Sequence, residues 1–176
     1  QQIVIVDIDD VVADWERGFE KWVLDHHSEL TPTDYSYEVD AGLRQRLKDE
    51  MHSSGGMKEL EIMSAARDAI LRLQGNGYTV VWLTARPISR HPRLVGDTVQ
   101  WLSSHWLPTD YIYYSDLNKH VFVVDKFPMA AALFDDKAET VAHAREFGIR
   151  AYQVTELHDF SLLVDDFLEE ENDALK

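Results

Sequence analysis

The chain has 176 residues, 45% of them apolar, which suits one well-cored domain with a small insertion and excludes wholesale disorder. No apolar run approaches the length of a membrane span. The net charge of −15 and the lack of cysteine argue against an extended nucleic-acid groove or anionic membrane surface, and exclude disulfides and a cysteine nucleophile.

The elements follow in chain order. Residues 3–7 open with four β-branched residues, Ile3-Val4-Ile5-Val6, a buried parallel strand by pattern. That run is too short, and lacks the basic flank, for a secretory leader. With no cysteine in the chain, the expectation is a cytoplasmic protein. Residues 13–24 carry Trp15, Phe19, Trp22 and Val23 at helical spacing. Residues 31–37 read as a loop, and residues 41–51 as a short amphipathic helix. Ser53-Ser54-Gly55-Gly56 reads as a linker. A helix over 64–74 is ended by Gly75 or Gly77, and residues 78–83 form a second buried strand. Residues 98–104 are helical. Residues 111–114 form a short strand, with 121–124 as a candidate continuation. Residues 131–134 form a strand ending in Asp135-Asp136. A helix over 140–147 is stopped by Gly148, and 149–154 form the last strand. Residues 160–168 form an amphipathic helix, and the acidic run 165–173 a solvated helix end.

Strands alternating with helical patterns imply an α/β fold with a doubly wound parallel sheet. Residues 13–57 hold no clear strand and read as a small helical cap inserted after the first strand. The catalytic core is then 1–12 plus 58–176.

Polar residues fall at the strand ends. The first strand ends in Asp7 and Asp9, the second in Thr84-Ala85-Arg86, and a later one in Asp135-Asp136. Lys126 lies nine residues before Asp135, with Lys119 as a rival. In a parallel sheet the C-terminal strand ends share one edge, so carboxylates, a hydroxyl and an ammonium converge. Each feature has a plainer reading: Asp135 or Asp136 could cap a helix, and Thr84 likewise.

Asp7-Ile8-Asp9-Asp10-Val11, Thr84, Lys126 and Asp135-Asp136, in this order and spacing, resemble the four motifs of the haloacid dehalogenase superfamily, mostly phosphatases. The resemblance spans about residues 3–155. It implies a Rossmannoid fold and a Mg²⁺-dependent phosphomonoesterase. Asp7 would attack phosphorus to give an aspartyl-phosphate, and Asp9 would protonate the leaving oxygen and then activate water. Thr84 and Lys126 would hold the phosphoryl oxygens. The metal would bind the Asp7 carboxylate, the Asp9 main-chain carbonyl and Asp135 or Asp136. Asp10 stands where the family usually has glycine.

The layout is closest to the 5′(3′)-deoxyribonucleotidases, which share an opening like Val6-Asp7-Ile8-Asp9-Asp10-Val11 followed directly by an insertion. A small phosphorylated substrate, a nucleoside monophosphate, is therefore expected. Candidates to hold its base are Phe19, Trp22, Tyr35 and Tyr37, although Trp15, Phe19 and Trp22 also read as a core stripe. Thr84, Ala85 and Arg86 would contact the substrate. Thr84-Ala85-Arg86 and Asp135-Asp136-Lys137 also resemble polynucleotide 3′-phosphatases, with Arg86, Arg90 and Arg93 as a local basic patch. A non-catalytic binding protein of the same fold is the third reading. His26-His27, His91, His105 and His120 fit no recognised metal spacing.

Overall fold

The computed structural model describes residues 2–116 and 118–176. Five parallel strands, β1 (Gln2–Val6), β2 (Tyr78–Thr84), β3 (Ile112–Tyr114), β4 (Ala132–Asp135) and β5 (Ala151–Gln153), lie in the order β3-β2-β1-β4-β5. The central strand β1 therefore has a neighbour on each side, and its β-branched run is buried on both faces. Val4 and Val6 pack with Trp82 and Phe134 on one face, and Ile5 with Leu83 and Leu133 on the other.

Helices cover both faces. The Val4 face is packed by α3 (Ala66–Gly75), α4 (Leu94–Ser104) and α7 (Phe160–Ala174). The Ile5 face is packed by α5 (Lys119–Lys126) and α6 (Ala138–Glu146). Gly77 and Gly148 take positive φ at the turns into β2 and β5, a conformation costly for residues with a Cβ. No helix among the described residues is long and apolar enough to cross a membrane.

Between β1 and α3 the chain is helical. It forms α1 (Trp15–His26), α2 (Tyr37–Ser54) and a 3₁₀ turn at Gly56–Glu59. Entry and exit of this segment are fastened together, since Asp14 N–H donates to Glu61 O at 2.9 Å and Met63 N–H to Val12 O at 2.7 Å. Its apolar residues, including Phe19, Trp22, Leu47 and Met51, join the same hydrophobic cluster as Val4 and Phe134. The inserted helices thus share the core of the sheet rather than enclosing one of their own.

Two expectations change. Residues 121–124 are not a strand but lie in α5. Lys119 and Val123, four apart, are buried while Val121 is exposed, a helical spacing, so packing against α6 overrides the β-propensity of the valines. The supposed linker at Ser53-Ser54 is the last turn of α2, closed by Gly55 in the left-handed region. Helix α2 also begins earlier than expected. Ser36 caps a first turn, the backbone breaks helical geometry at Asp40, and the Asp40 carboxylate caps the remainder through Leu43 N–H.

Candidate active site

Three site residues are held by the sheet's own hydrogen bonds. Asp7 N–H donates to Phe134 O at 3.0 Å, Ser115 N–H to Thr84 O at 2.9 Å, and Val154 N–H to Asp135 O at 2.9 Å. Because Val6 pairs with Phe134, the next register position sets Asp7 beside Asp135. Backbone fixed in a ladder carries little positional freedom, which suits side chains that must meet a reacting group.

The ammonium that joins them is Lys119. Its Nζ lies 2.9 Å from Asp7 Oδ1 and 2.6 Å from Asp135 Oδ2. Lys119 opens α5, whereas Lys126 closes it. Seven helical residues span about 10 Å, so the two lysines cannot serve the same point. Lys126 is exposed, its ammonium 5.8 Å from the Tyr113 ring centre. The helix thus puts Lys119, the rival, and not Lys126 beside Asp7 and Asp135.

Buried charge dominates this corner. Asp7 is 6% exposed, Lys119 8% and Asp135 0%. Burial alone would push Lys119 down, but the Asp7 and Asp135 carboxylates outweigh it and keep the ammonium charged. Burial pushes Asp7 well above the usual carboxylate range. Lys119 opposes this rise, while Asp135 and Asp136 add to it. Burial raises Asp136 as well. One ammonium does not offset three crowded carboxylates.

That imbalance tests the expected metal. Ligand atoms of Asp7, Asp135 and Asp136 lie within 4.8 Å of one another, an all-oxygen anionic set of the kind hard divalent cations favour. Asp135 Oδ2 is buried and, apart from its ion pair, accepts no well-aligned hydrogen bond among the described residues. The residues fit a divalent cation. The Asp9 carboxylate is not part of this trio.

Asp9 faces Arg86 instead. The guanidinium meets it through two bonds, Nε to Oδ2 at 3.0 Å and Nη2 to Oδ1 at 2.7 Å. Its third nitrogen donates to Thr98 Oγ1 at 2.9 Å. Arg86 is 3% exposed at the edge of the cavity, and these bonds engage its guanidinium with Asp9 and Thr98. The other arginines of the basic patch are also engaged, Arg90 with Asp49 and Arg93 with Asp97. Thr84 lies buried at the end of β2, its Oγ1 accepting from Arg86 N–H at 3.2 Å.

Asp10 explains its own departure from glycine. Its φ is +61°, in the left-handed region that aspartate tolerates better than most residues. Its Oδ1 accepts from Trp15 N–H at 3.0 Å and Glu16 N–H at 3.1 Å, capping α1 across the loop. Burial pushes its carboxyl up to about 6 against the N–H of Glu16, which pulls it down.

A cavity of about 280 Å³ opens above the strand ends. Asp7, Asp9, Thr84, Ala85, Lys119 and Asp136 form its floor. The inserted helices supply a wall of Trp15, Tyr37, Arg44, Lys48 and His52. Arg44 lies 4.6 Å from the Tyr37 ring centre, and Lys48 5.3 Å from that of Trp15. Phe19 and Tyr35 are not in this wall. They pack edge to face at 5.7 Å in the core, and Tyr35 is 2% exposed despite its loop setting. Trp22 also lies in the core. Arg44, Lys48 and His52 escaped the sequence reading. The only signal was their spacing of four on one face of α2.

The comparisons with known proteins agree with this geometry. The family described as 5′ nucleotidase, deoxy (Pyrimidine), cytosolic type C protein matches residues 1–171. The chain belongs to this nucleotidase family. It is accordingly a haloacid dehalogenase-type hydrolase of phosphoric monoesters, nucleotidase-like in kind. No curated protein matches it. Among solved structures, this nucleotidase-family chain is similar to a haloacid dehalogenase-like hydrolase from Streptococcus pneumoniae, with TM-score 0.57, 16% identity, and coverage of 94% of this chain and 90% of the other. It is similar to a haloacid dehalogenase family hydrolase from Deinococcus radiodurans with bound phosphate and sodium, with TM-score 0.58, 13% identity, and coverage of 94% and 87%. A chain of the Pnkp1/Rnl/Hen1 complex matches with TM-score 0.54 and 16% identity over 87% of this chain and 45% of that one. At these identities the likeness is one of fold.

Proposed function

We propose that the protein is a Mg²⁺-dependent phosphomonoesterase that dephosphorylates (deoxy)nucleoside monophosphates through an aspartyl-phosphate on Asp7. The observation that carries this reading is the placement of Asp7 between Lys119 and the Asp135-Asp136 pair at the floor of the cavity.

Asp7 Oδ1 is held by Ile8 N–H at 2.8 Å and Lys119 at 2.9 Å, which leaves Oδ2 to form the bond to phosphorus. The P–O bond to the nucleoside breaks, and Asp9, aimed by Arg86, delivers a proton to the departing oxygen. Asp9 then takes a proton from the water that attacks the aspartyl-phosphate, which restores Asp7 and releases phosphate. Lys119, Thr84 and the main chain at Ala85 line the space for the phosphoryl oxygens, where a fixed ammonium stabilises developing charge. A Mg²⁺ held by Asp7, Asp135 and Asp136 would supply the charge neutralisation that lets a carboxylate approach a phosphate dianion.

Trp15 and Tyr37 line the cavity and are placed to meet a base. A cytoplasmic setting, a helical cap over residues 13–57 and a core of 1–12 plus 58–176 belong to the same reading. Lys48 and Lys137 in the cavity also favour a second reading, in which the substrate carries a further phosphate, as a 3′-phosphorylated polynucleotide end does.

Phosphate release from 5′- and 3′-nucleoside monophosphates, 3′-phosphorylated oligonucleotides and sugar phosphates, with Mg²⁺ and with EDTA, tests the proposal. Mg²⁺-dependent release from mononucleotides is expected. Release from oligonucleotide ends alone would replace the first reading with the second, and no release from any would overturn both.

A further inference from the structure

We infer that Asp49, His52 and His91 form a second metal site that takes a first-row transition-metal ion such as Zn²⁺. One ligand atom from each lies within 4.8 Å of the others, a span that a single ion can bridge. The site shares no residue with the acidic trio and does not depend on the phosphatase reading.

Two elements build it. Asp49 and His52 sit three apart on α2, so they share a face. His91 comes from the loop that joins β2 to α4, five residues beyond Arg86. Its Nε2 lies 2.9 Å from Asp49 Oδ1, and its ring centre 5.3 Å from that of His52. His52 is 5% exposed, and its Nδ1 is buried with no hydrogen-bond partner among the described residues. A buried ring nitrogen left unpartnered is costly, and a cation is one way to satisfy it. The second oxygen of Asp49 accepts from Arg90 Nη2 at 2.6 Å, the kind of outer contact that orients a ligating carboxylate.

The donor set selects the ion. Two imidazoles and one carboxylate suit Zn²⁺, Co²⁺ or Ni²⁺, whereas Mg²⁺ prefers oxygen throughout. The protein would then sort two metals by ligand chemistry, a hard cation at Asp7, Asp135 and Asp136 and a softer one here. Three protein ligands leave a coordination position free. His52 also lines the active-site cavity beside Asp9 and Arg86. An ion at this point would pin the inserted helix α2 to the loop that follows Thr84.

The test is titration of chelator-stripped protein, with Mg²⁺ in excess to fill the acidic trio, with Co²⁺ and then with Zn²⁺ in competition. The expected result is a one-to-one Co²⁺ complex with visible ligand-field bands, displaced by Zn²⁺, untouched by excess Mg²⁺ and accompanied by a rise in Tm. His91→Ala, at a partly exposed position, should lower Zn²⁺ affinity about tenfold or more without changing the circular dichroism spectrum. His52→Gln should do the same, and Asp135→Asn should retain the bands. The exposure of His91 makes its variant a fair test should His52→Gln fold poorly. A wild-type protein without the bands would overturn the inference. So would bands that survive both histidine variants, vanish in Asp135→Asn, or vanish when His120 and His143, another close pair with ring centres 4.6 Å apart, are both changed to Ala.

Discussion

Two regions meet at the cavity, and they hold their side chains by different means. At the strand ends, Asp7, Thr84 and Asp135 are fixed by ladder hydrogen bonds and buried among opposing charges. On the inserted helices, the wall residues are fixed by side-chain contacts: buried Arg44 ion-pairs with Glu16 and lies against the Tyr37 ring, and Trp15 stacks on Phe19 with Lys48 near its ring. The first region suits chemistry, which tolerates little displacement. The second suits recognition, which can vary in strength without disabling the reaction.

Substitutions should separate the two regions by size of effect. Asp7→Asn should lower turnover by about a thousandfold or more while the circular dichroism spectrum stays native, since it removes the nucleophile and keeps its shape. Lys119→Met should cost about a hundredfold or more in kcat, while Lys126→Met should leave kcat and KM within about twofold. Equal effects at the two lysines would break the assignment. Arg86→Lys, which loses the two-bond grip on Asp9 and the Thr98 contact, should lower kcat by about tenfold to a hundredfold with KM little changed. Tyr37→Ala and Trp15→Ala should raise KM for mononucleotides by about tenfold and spare kcat. A loss of kcat at these wall residues would merge the two regions into one.

The smallest effect concerns pH. Asp10 is pushed up to about 6 in the folded protein, so between its ordinary value and that point the folded state binds more protons than the unfolded one. Stability therefore falls as pH rises through that window. In EDTA, Asp10→Asn should match the wild type near the bottom of the window. At neutral pH its Tm should be higher by about 2–4 °C, a modest figure because the carboxyl is partly solvated. A lower Tm would mean that the capping bonds to Trp15 and Glu16 need the charge.

The same contrast explains what could be read from sequence. The strand ends were legible because β-branched runs such as Ile3-Val4-Ile5-Val6 mark central strands, and whatever polar residue follows must lie on the common edge. Lys126 is preferred over Lys119 from sequence for its spacing before Asp135, and that spacing does not reveal which lysine the turn into α5 brings beside Asp7 and Asp135. The cavity wall was harder. Tyr35 sits in a loop yet is buried against Phe19, while Tyr37 opens a helix and faces the cavity, and no local pattern distinguishes them. The Asp49–His52 spacing was visible, but its partner His91 comes from 39 residues further on, and only the fold joins them.

The account rests on Asp7 as the residue that accepts the phosphoryl group. The most direct measurement is peptide mass spectrometry of protein quenched in acid during turnover of a nucleoside monophosphate with Mg²⁺. One added phosphoryl group on Asp7, absent in Asp7→Asn and more abundant in Asp9→Asn given an aryl phosphate whose leaving oxygen needs no proton, is the predicted result. Turnover with no phosphoryl adduct in either the wild type or Asp9→Asn, or an adduct on another residue, would contradict the account.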